Sequence, residues 1–562
     1  MTDLDGILRW ISGNEALLSG IAALAAIIGL IVSPIGTALR RRAIRRRRRP
    51  TAGQGGQDRT ADSAPRVAER PERVVAVLPF DNLSSDPELQ YFSDGVSEEI
   101  IRRLSRAANV AVIGRASSFQ FRAERKGQAA QSLGCSHVLD GSVRRAEGRV
   151  RIAAHLVEAA GTTTVWSDRY DRDLADVFAV QDDIAGNIAQ ALDGAFRGVA
   201  IRTIDPEAYD LYLRASPRSF GPDELRSGIS LLEVATRRAP DFADGWARLA
   251  YLRAWLRYYE PYASRAASAA AVEDAAARAA ATDPGSVDAT VARLFVIPPF
   301  GRFVETDAAL QAVRQAGGEG AQYAGWFLRT LGHVRESLVE DERAYRADPL
   351  NPMTANLVAL ARMAAGRTEE AVPVFEDLMA RIPDMSFPFS SLLRARALLG
   401  DWQGVDQLLA LEATRPLREF REGLDFIRTK RDPTPANLER WRKEFEARVR
   451  TTGCVDVSRL VYTAHLGLVD TAYAAALGAR LGPRGADDDI MGPDAYRTAL
   501  LFQAGLPELR DDPRFPRLCA RLGLVEYWTT RGKWPDCADT VPYDFRAECM
   551  RAREVAVESF GF

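Results

Sequence analysis

Histidine, cysteine and lysine are scarce in this chain. The four histidines, His137, His155, His333 and His465, lie far apart in the sequence, and none has a second ligand at metal spacing. The five cysteines are an odd total, and Cys135, Cys454 and Cys519 have no evident partner. Only Cys537 and Cys549, within KWPDCADTVPYDFRAEC, offer a pair: bridged in an oxidising compartment, free thiols in a reducing one. Lysine is confined to Lys126, Lys430, Lys443 and Lys533, a bias towards arginine that a GC-rich genome accounts for. There is no G-x-x-x-x-G-K-[ST] phosphate cradle and no nucleophile elbow, and GGEGAQYAG at Gly317 lacks the strand such a cradle follows. The acid pairs Asp182–Asp183 and Glu98–Glu99 read as solvated helix faces. A formal net charge of −2 argues against a protein-wide nucleic-acid footprint. No metal, cofactor or nucleic acid is expected.

What is present falls into distinct blocks. At 562 residues, 47% hydrophobic and 27% charged, the chain has room for three or four structural units. Val74 to Phe80 is a short apolar run with turn chemistry after it, the pattern of a buried strand. Ser93 is placed to cap a helix whose Val96, Ile100 and Leu104 form one face. Val110–Gly114 reads as a strand and Gly127–Leu133 as a short helix. Val150, Ile152, Ala154 and Leu156 alternate with polar residues; with His137–Arg144 and Thr163–Tyr170 they make an antiparallel meander. Val177, Val180, Ile184, Ile188 and Leu192 are the stripe of a closing helix. The order β-α-β-α-β-β-β-α predicts an α/β domain with a mixed sheet over residues 73–196.

The blocks VLPFDNLSSDP…YFSDGVSEEI, LDGSVRR and WSDRYDRDL…FAVQDDI closely resemble the TolB-like amino-terminal domain. In bacteria that domain recurs beside adenylate cyclase catalytic domains or winged-helix regulators, usually followed by tetratricopeptide repeats. The resemblance implies the fold and the repeats behind it, but assigns a ligand to no residue.

Residues 16–39 carry no charge, and roughly 36 Å of helix would cross a hydrocarbon core of about 30 Å. They predict a transmembrane helix behind a short tail, residues 1–15. Arg40, Arg41, Arg42 and Arg45 to Arg49 follow at once, so the positive-inside rule puts the bulk of the chain in the cytoplasm, on a bacterial inner membrane. A periplasm-facing arrangement is the alternative. Residues 40–72 are an Arg-rich juxtamembrane segment and then a linker of Gly, Pro, Gln and Asp with too little apolar side chain to order itself.

Residues 204–482 read as a tetratricopeptide-like all-α solenoid. Gly332, Gly366 and Gly400 recur about every 34 residues, each between two helices. Pro349, Pro383 and Pro416 keep nearly the same period and are expected to open new repeats. Ala208, Tyr209, Tyr212 and Ala215 mark a first helix of an earlier copy. Tyr258, Tyr259, Trp326 and Phe327 read as packing between repeats. After Pro416 the register fades; Leu438–Val449 and Val461–Leu481 look helical, and residues 483–562 are a capping or irregular region.

Two function classes follow. The first is a non-enzymatic, membrane-anchored interaction or sensor protein. Its α/β domain recognises a ligand or partner, its repeats bind protein, residues 16–49 hold the membrane, and it can homo-oligomerise. The second is an enzyme or signalling component with its site at the strand ends of the α/β domain. Phe80, Asp81, Asn82, Asp94, Glu98 and Arg115 are the candidates for that crevice. Asp94, Glu98 and a basic partner such as Arg115 lining one deep cleft would favour the enzyme.

Overall fold

The computed structural model describes residues 73–555 and 557, except 106, 108–109, 147, 160–162, 193–203, 217–220, 261–263, 299, 317–321, 383–385, 413–420 and 483–497. The predicted membrane span, the arginine run and the linker lie outside the described residues. Among the described residues no helix is long and apolar enough to cross a membrane.

The sheet is mixed. Its strands are β1 (Val74–Val77), β2 (Asp81–Asn82), β3 (Ala111–Ile113), β4 (His137–Ala146), β5 (Arg149–Glu158) and β6 (Thr164–Asp173). They lie in the order β3-β1-β4-β5-β6, with β2 extending the line of β1 along β4. β1 pairs in parallel with β3 and β4, and β4-β5-β6 is the expected antiparallel meander. Val150, Ile152, Ala154 and Leu156 are buried on one face, against α1 (Gln90–Leu104) and α4 (Val177–Ala191). The short α2 (Arg115–Ser118) and α3 (Ala129–Leu133) lie between β3 and β4; Ala129 and Leu133 of α3 join Val74, Ala76 and Ile113 in a second small core.

One local expectation fails. Ser93 does not cap α1, which begins three residues earlier, at Gln90. A 3-10 turn over Pro87–Leu89 leads in, with the Asp86 carboxylate accepting from the Glu88 N–H at 2.9 Å and Pro87 suited to a position that needs no N–H. The Asp–Pro pair read as turn chemistry is thus the true start signal, and Ser93 is buried inside the helix.

The remaining helices pair in sequence: α5 (Pro206–Arg214) with α6 (Pro222–Arg238), α7 (Ala243–Leu256) with α8 (Arg265–Thr282), α9 (Val287–Val296) with α10 (Phe303–Ala316), and α11 (Ala324–Thr330) with α12 (Val334–Ala347). Then come α13 (Pro352–Ala364) with α14 (Thr368–Arg381), α15 (Ser386–Leu399) with α16 (Trp402–Glu412), α17 (Arg421–Arg431) with α18 (Pro435–Thr452), and α19 (Val457–His465) with α20 (Val469–Gly478). Gly332, Gly366 and Gly400 each sit between the helices of a pair with φ of 87°, 79° and 73°, the left-handed conformation that closes a helix cheaply only at glycine. Gly467 does the same between α19 and α20 with φ 83°. The register therefore persists about two periods past Gly400, and Val461–Leu481 is interrupted at Gly467 instead of running as one helix; its end, Arg480–Leu481, is a short strand paired in parallel with Cys454–Val455, so the array is not purely α. Of the three prolines expected to open repeats, Pro383 and Pro416 lie outside the described residues, and Pro349 acts differently from expectation. Pro349 lies in the turn, and α13 starts at Pro352, where the Asn351 side chain accepts from the Met353 N–H at 2.8 Å. Trp326 and Phe327 are buried among Trp255, Tyr258, Phe295 and Tyr323, the inter-repeat packing expected of them.

Residues 498–555, which include α21 (Phe515–Leu522), α22 (Leu524–Arg531) and α23 (Phe545–Ala552), run back along these turns as a strap. The Ala504 N–H donates to Ala364 O at 2.9 Å, Asp536 N–H to Gly332 O at 3.0 Å, and Trp528 Nε1 to Leu331 O at 2.9 Å. Further along, Tyr473 OH donates to Leu509 O at 2.5 Å, and Arg514 pairs with Asp470 at 2.8 Å. Cys537 and Cys549 are buried in this strap as free thiols, with Cys519 near enough that its thiol is pushed up by burial and by both of them.

The strap gives the glycines unequal roles. A Cβ on Gly332 would stand 2.6 Å from Pro535 Cβ, whereas one on Gly400 meets nothing within 4 Å. Gly400→Ala should lose about 1–2 kcal/mol from the left-handed backbone alone. Gly332→Ala should lose more and also loosen the strap. Thermal unfolding of the two variants, with limited proteolysis between residues 498 and 555, checks this; equal losses would refute the strap's contribution.

Candidate functional site

The crevice residues named from the sequence are only partly brought together. Phe80 is a core residue, 1% exposed, its N–H donating to Ser97 Oγ at 2.9 Å. Asp81 pairs with Lys126 at 2.8 Å, and Lys126 also reaches Asp140 at 2.8 Å. The Asn82 side chain closes its own turn, accepting from the Ser84 N–H and donating to Asp86 O, both at 2.9 Å. Asp94 takes two guanidinium bonds from Arg122, at 2.9 and 2.7 Å, and one from Gln90 at 2.8 Å. Glu98 does meet Arg115, at 2.9 Å, and Arg115 and Arg122 both lie over the Phe119 ring. What forms is a ladder of ion pairs along one edge of α1, each acid already matched with a base. Among the described residues no group of His, Cys, Asp and Glu is arranged to hold a metal.

The dominant constellation lies one residue further on. Glu99, read from the sequence as solvated, is 1% exposed. Its carboxylate accepts from Tyr212 OH of α5 at 2.8 Å and from Arg102 Nη2 at 2.5 Å. Arg102 reaches on to Asp244 of α7 and Asp288 of α9, at 3.5 and 3.6 Å. Arg248 of α7 pairs with Asp288 at 3.3 Å and Glu98 at 3.4 Å, and donates to Ser216 Oγ at 2.9 Å. Both Arg102 and Arg248 stand over the Tyr212 ring, 5.9 and 5.3 Å from its centre. Arg103 pairs with Asp182 of α4 and lies over Phe178. Burial alone would raise the Glu99 carboxyl; the guanidiniums of Arg102, Arg103 and Arg248 outweigh it and bring it down to about 2. An apolar seam runs beside the charges: Tyr209 packs on Phe178 and Phe92, Tyr212 on Phe242, and Gln181 Nε2 donates to Tyr209 OH at 2.7 Å.

A second contact docks the far edge of the sheet. The turn after α12 lies on the carboxyl end of β3. There the Gly114 N–H donates to Ala347 O at 3.1 Å, and the buried Asp348 carboxylate accepts from the Ser117 N–H at 2.9 Å. A Cβ on Gly114 would stand 2.3 Å from the Asp348 carboxylate, so only glycine admits this approach. Tyr212, Asp244, Arg248, Asp288 and Asp348 all belong to first helices of the pairs or to the turn before one. The helical array thus uses that side to grip its own α/β unit. The clue to Glu99 was its place in the sequence: it falls on the 92-96-99-103 line beside the apolar stripe of α1, not on the outer face.

No family model matches the chain. A segment of 163 residues, 28% of the chain, is 41% identical to a protein of Rhizobium meliloti (strain 1021) named "Putative adenylate cyclase 3", and the chain spans about a quarter of that relative, 27% of its length. Among solved structures, the human IFIT1 dimer with PPP-AAAA overlays with a TM-score of 0.34 and 14% identity, over 53% of this chain and 76% of that one. The structure of Naa15/Naa10 bound to HypK-THB overlays with a TM-score of 0.20 and 13% identity, over 61% and 54%. Overlays this loose carry no argument, and the assignment of paired, tetratricopeptide-like helices rests on the helices and their glycine turns.

Glu99→Gln should destabilise the protein by about 3 kcal/mol, because it removes the nearest counter-charge of buried Arg102 and leaves it only the more distant Asp244 and Asp288. Tyr212→Phe should lose about 2 kcal/mol, since the hydroxyl donates to the Glu99 carboxylate and accepts from Arg248 at 3.4 Å. The depressed Glu99 carboxyl fixes the acid response. Its contribution is complete above about 4.5, its ordinary value, and is lost as pH falls towards about 2. Denaturant unfolding from pH 7 to 2 should show that loss in the parent and not in Glu99→Gln; parallel curves would contradict it.

Proposed function

We propose that this chain is a non-enzymatic interaction protein held at a membrane by residues 16–49. In this reading the α/β unit recognises a ligand or partner and the helical repeats dock a further protein. One observation carries it. The acids that could have worked as an acid–base set are consumed in holding the fold: Asp94 by Arg122, Glu98 by Arg115 and Arg248, and Glu99 by Arg102 and Tyr212. The rim at Asp81, Lys126, Asp94 and Arg122 is the face the α/β unit offers. Because that unit is clamped to the first helices by buried charge, an event at its rim is felt by the repeats. The TolB-like resemblance of the segment from VLPFDNLSSDP to FAVQDDI fits a module of this kind, and so does partial identity with a protein named as a cyclase, since the TolB-like domain keeps such company.

That printed name also favours a second reading, in which the chain belongs to a nucleotide-cyclising system or carries an unrecognised site in the α/β unit. Purified chain incubated with ATP or GTP and Mg²⁺ decides between them. No cyclic nucleotide is expected; turnover that disappears on a single side-chain change would overturn the first reading. For the membrane, we expect the full chain to sediment with bacterial membranes and a form lacking residues 1–49 to remain in the supernatant with an unchanged melting temperature. A reporter active only in the cytoplasm, fused after Phe562, should be active if the positive-inside orientation holds.

A further inference from the structure

A hydrogen-bonded chain of three side chains joins the repeats to the strap, away from the α/β unit. Lys430 Nζ, at the end of α17, stands 2.8 Å from His465 Nε2, on the last residue of α19, and His465 Nδ1 stands 2.8 Å from Glu508 Oε1 on the strap. The roles follow from the donors available. A charged ammonium can only donate and the Glu508 carboxylate can only accept, so while Lys430 is charged Nε2 is the unprotonated ring nitrogen and Nδ1–H donates to the carboxylate. The ring is therefore held in one tautomer, with its lone pair aimed at the amine and a negative charge behind it. Phe426, one turn before Lys430, stacks on Tyr462 at 4.3 Å and lies 5.8 Å from the imidazole, an apolar wall beside the His465 ring.

This is the arrangement of an activated nucleophile: a nucleophile within reach of a base, and the base oriented by a third group. A lysine serves here where an arginine would not, since a guanidinium does not give up its proton. The other lysines sit differently. Lys126 lies between two carboxylates, Lys533 faces Asp307 at 3.7 Å, and Lys443 is exposed beside Glu439.

We propose that Lys430 is a site of acylation by thioesters, with His465 as its proton acceptor and Glu508 as the group that positions His465. Once the ammonium has lost a proton to water, the Nζ lone pair attacks the thioester carbonyl carbon and the C–S bond breaks. The proton that the nitrogen sheds passes to His465 Nε2 and from there to the departing thiolate. The products are an amide on Lys430 and a free thiol. Moving positive charge onto the imidazole brings it into direct contact with Glu508, which stabilises the proton in transit. Burial acts in the same direction, lowering the affinity of Lys430 for its third proton, against the opposing charge of Glu508. The other charges nearby are turned aside: Arg431 of the same helix pairs with Asp406 of α16, and Arg394 of α15 donates to Tyr462 OH at 3.4 Å.

The test uses the full chain and an S-acetyl thioester of a small thiol, with the rate at each lysine read by peptide mass spectrometry. Near pH 7, Lys430 should be acetylated at least about a hundredfold faster than exposed Lys443, the low end of what a positioned base provides. The ratio should fall towards one as pH approaches that of an ordinary lysine. His465→Gln, which keeps an acceptor but cannot take a proton, should abolish the advantage, and Glu508→Gln should reduce it, while Lys443 and Lys533 keep their rates. A Lys430 no faster than Lys443 would overturn the proposal. So would a ratio independent of pH, which would mean access alone, or an advantage that survives His465→Gln. Should a variant also change Lys533 and so report a loosened strap, the pH profile of the unaltered chain decides.

Discussion

A carboxylate taken out of water must be given positive charge by the fold, and around Glu99 that need organises half the molecule. Its charge is met by arginines of its own helix and of α7, while its remaining acceptor goes to a tyrosine of α5. Those arginines are in turn shared with Asp244, Asp288 and Glu98, so no member can leave without stranding another. Desolvating so many charges brings little net stability over an apolar seam of equal size. What it brings is definition. Tyrosines and phenylalanines slide over one another with modest penalty, whereas a guanidinium fork matches its acceptors in one geometry. The aromatic packing at Tyr209 and Phe178 supplies the adhesion, and the charges choose the pose.

The sheet and the helix pairs were legible because they are written in periods. Alternation in Val150–Leu156, a four-residue stripe in Val177–Leu192 and glycines near 34-residue spacing each encode burial along a single element. Where one element meets another, no period exists. Nothing in SEEIIRRLSR announces that its second glutamate is inside and its first half outside, beyond a shift of one place around the helix. Asp348 and Gly114 are more than two hundred residues apart and find each other only once the array has turned back on the sheet. Local capping failed for a smaller reason: Asp86–Pro87 and Ser93 both offer a start, and the stronger pairing of cap and proline prevails.

The strap reads in the sequence as a capping or irregular region because Pro, Asp and Arg leave room for only short helices. Its order comes from buried apolar side chains, Phe515, Leu518, Trp528 and Phe545 among them, together with polar contacts to backbone. Arg510 shows how: its guanidinium donates to the carbonyl oxygens of Gln503 at 2.7 Å and Ala504 at 3.2 Å, gathering a loop that has no ladder of its own. Ala504 then bonds the end of α13, and the chain repeats the device at Leu509, Leu522 and Asp536. A segment organised this way is specified by where carbonyls fall on its neighbour, information that resides in another part of the chain.

That dependence has a historical side. Open arrays of paired helices lengthen or shorten by duplication or loss of a unit, because every unit touches only the next. Here Phe502 and Pro535 must land on Gly332, Ala504 beside Gly366 and Leu509 against Tyr473. Inserting one 34-residue unit between α14 and α19 would move the Tyr473 landing point by a whole step and leave those at Gly332 and Gly366 in place. A change in the number of units in this part of the protein would therefore break contacts with the strap that no single substitution breaks together.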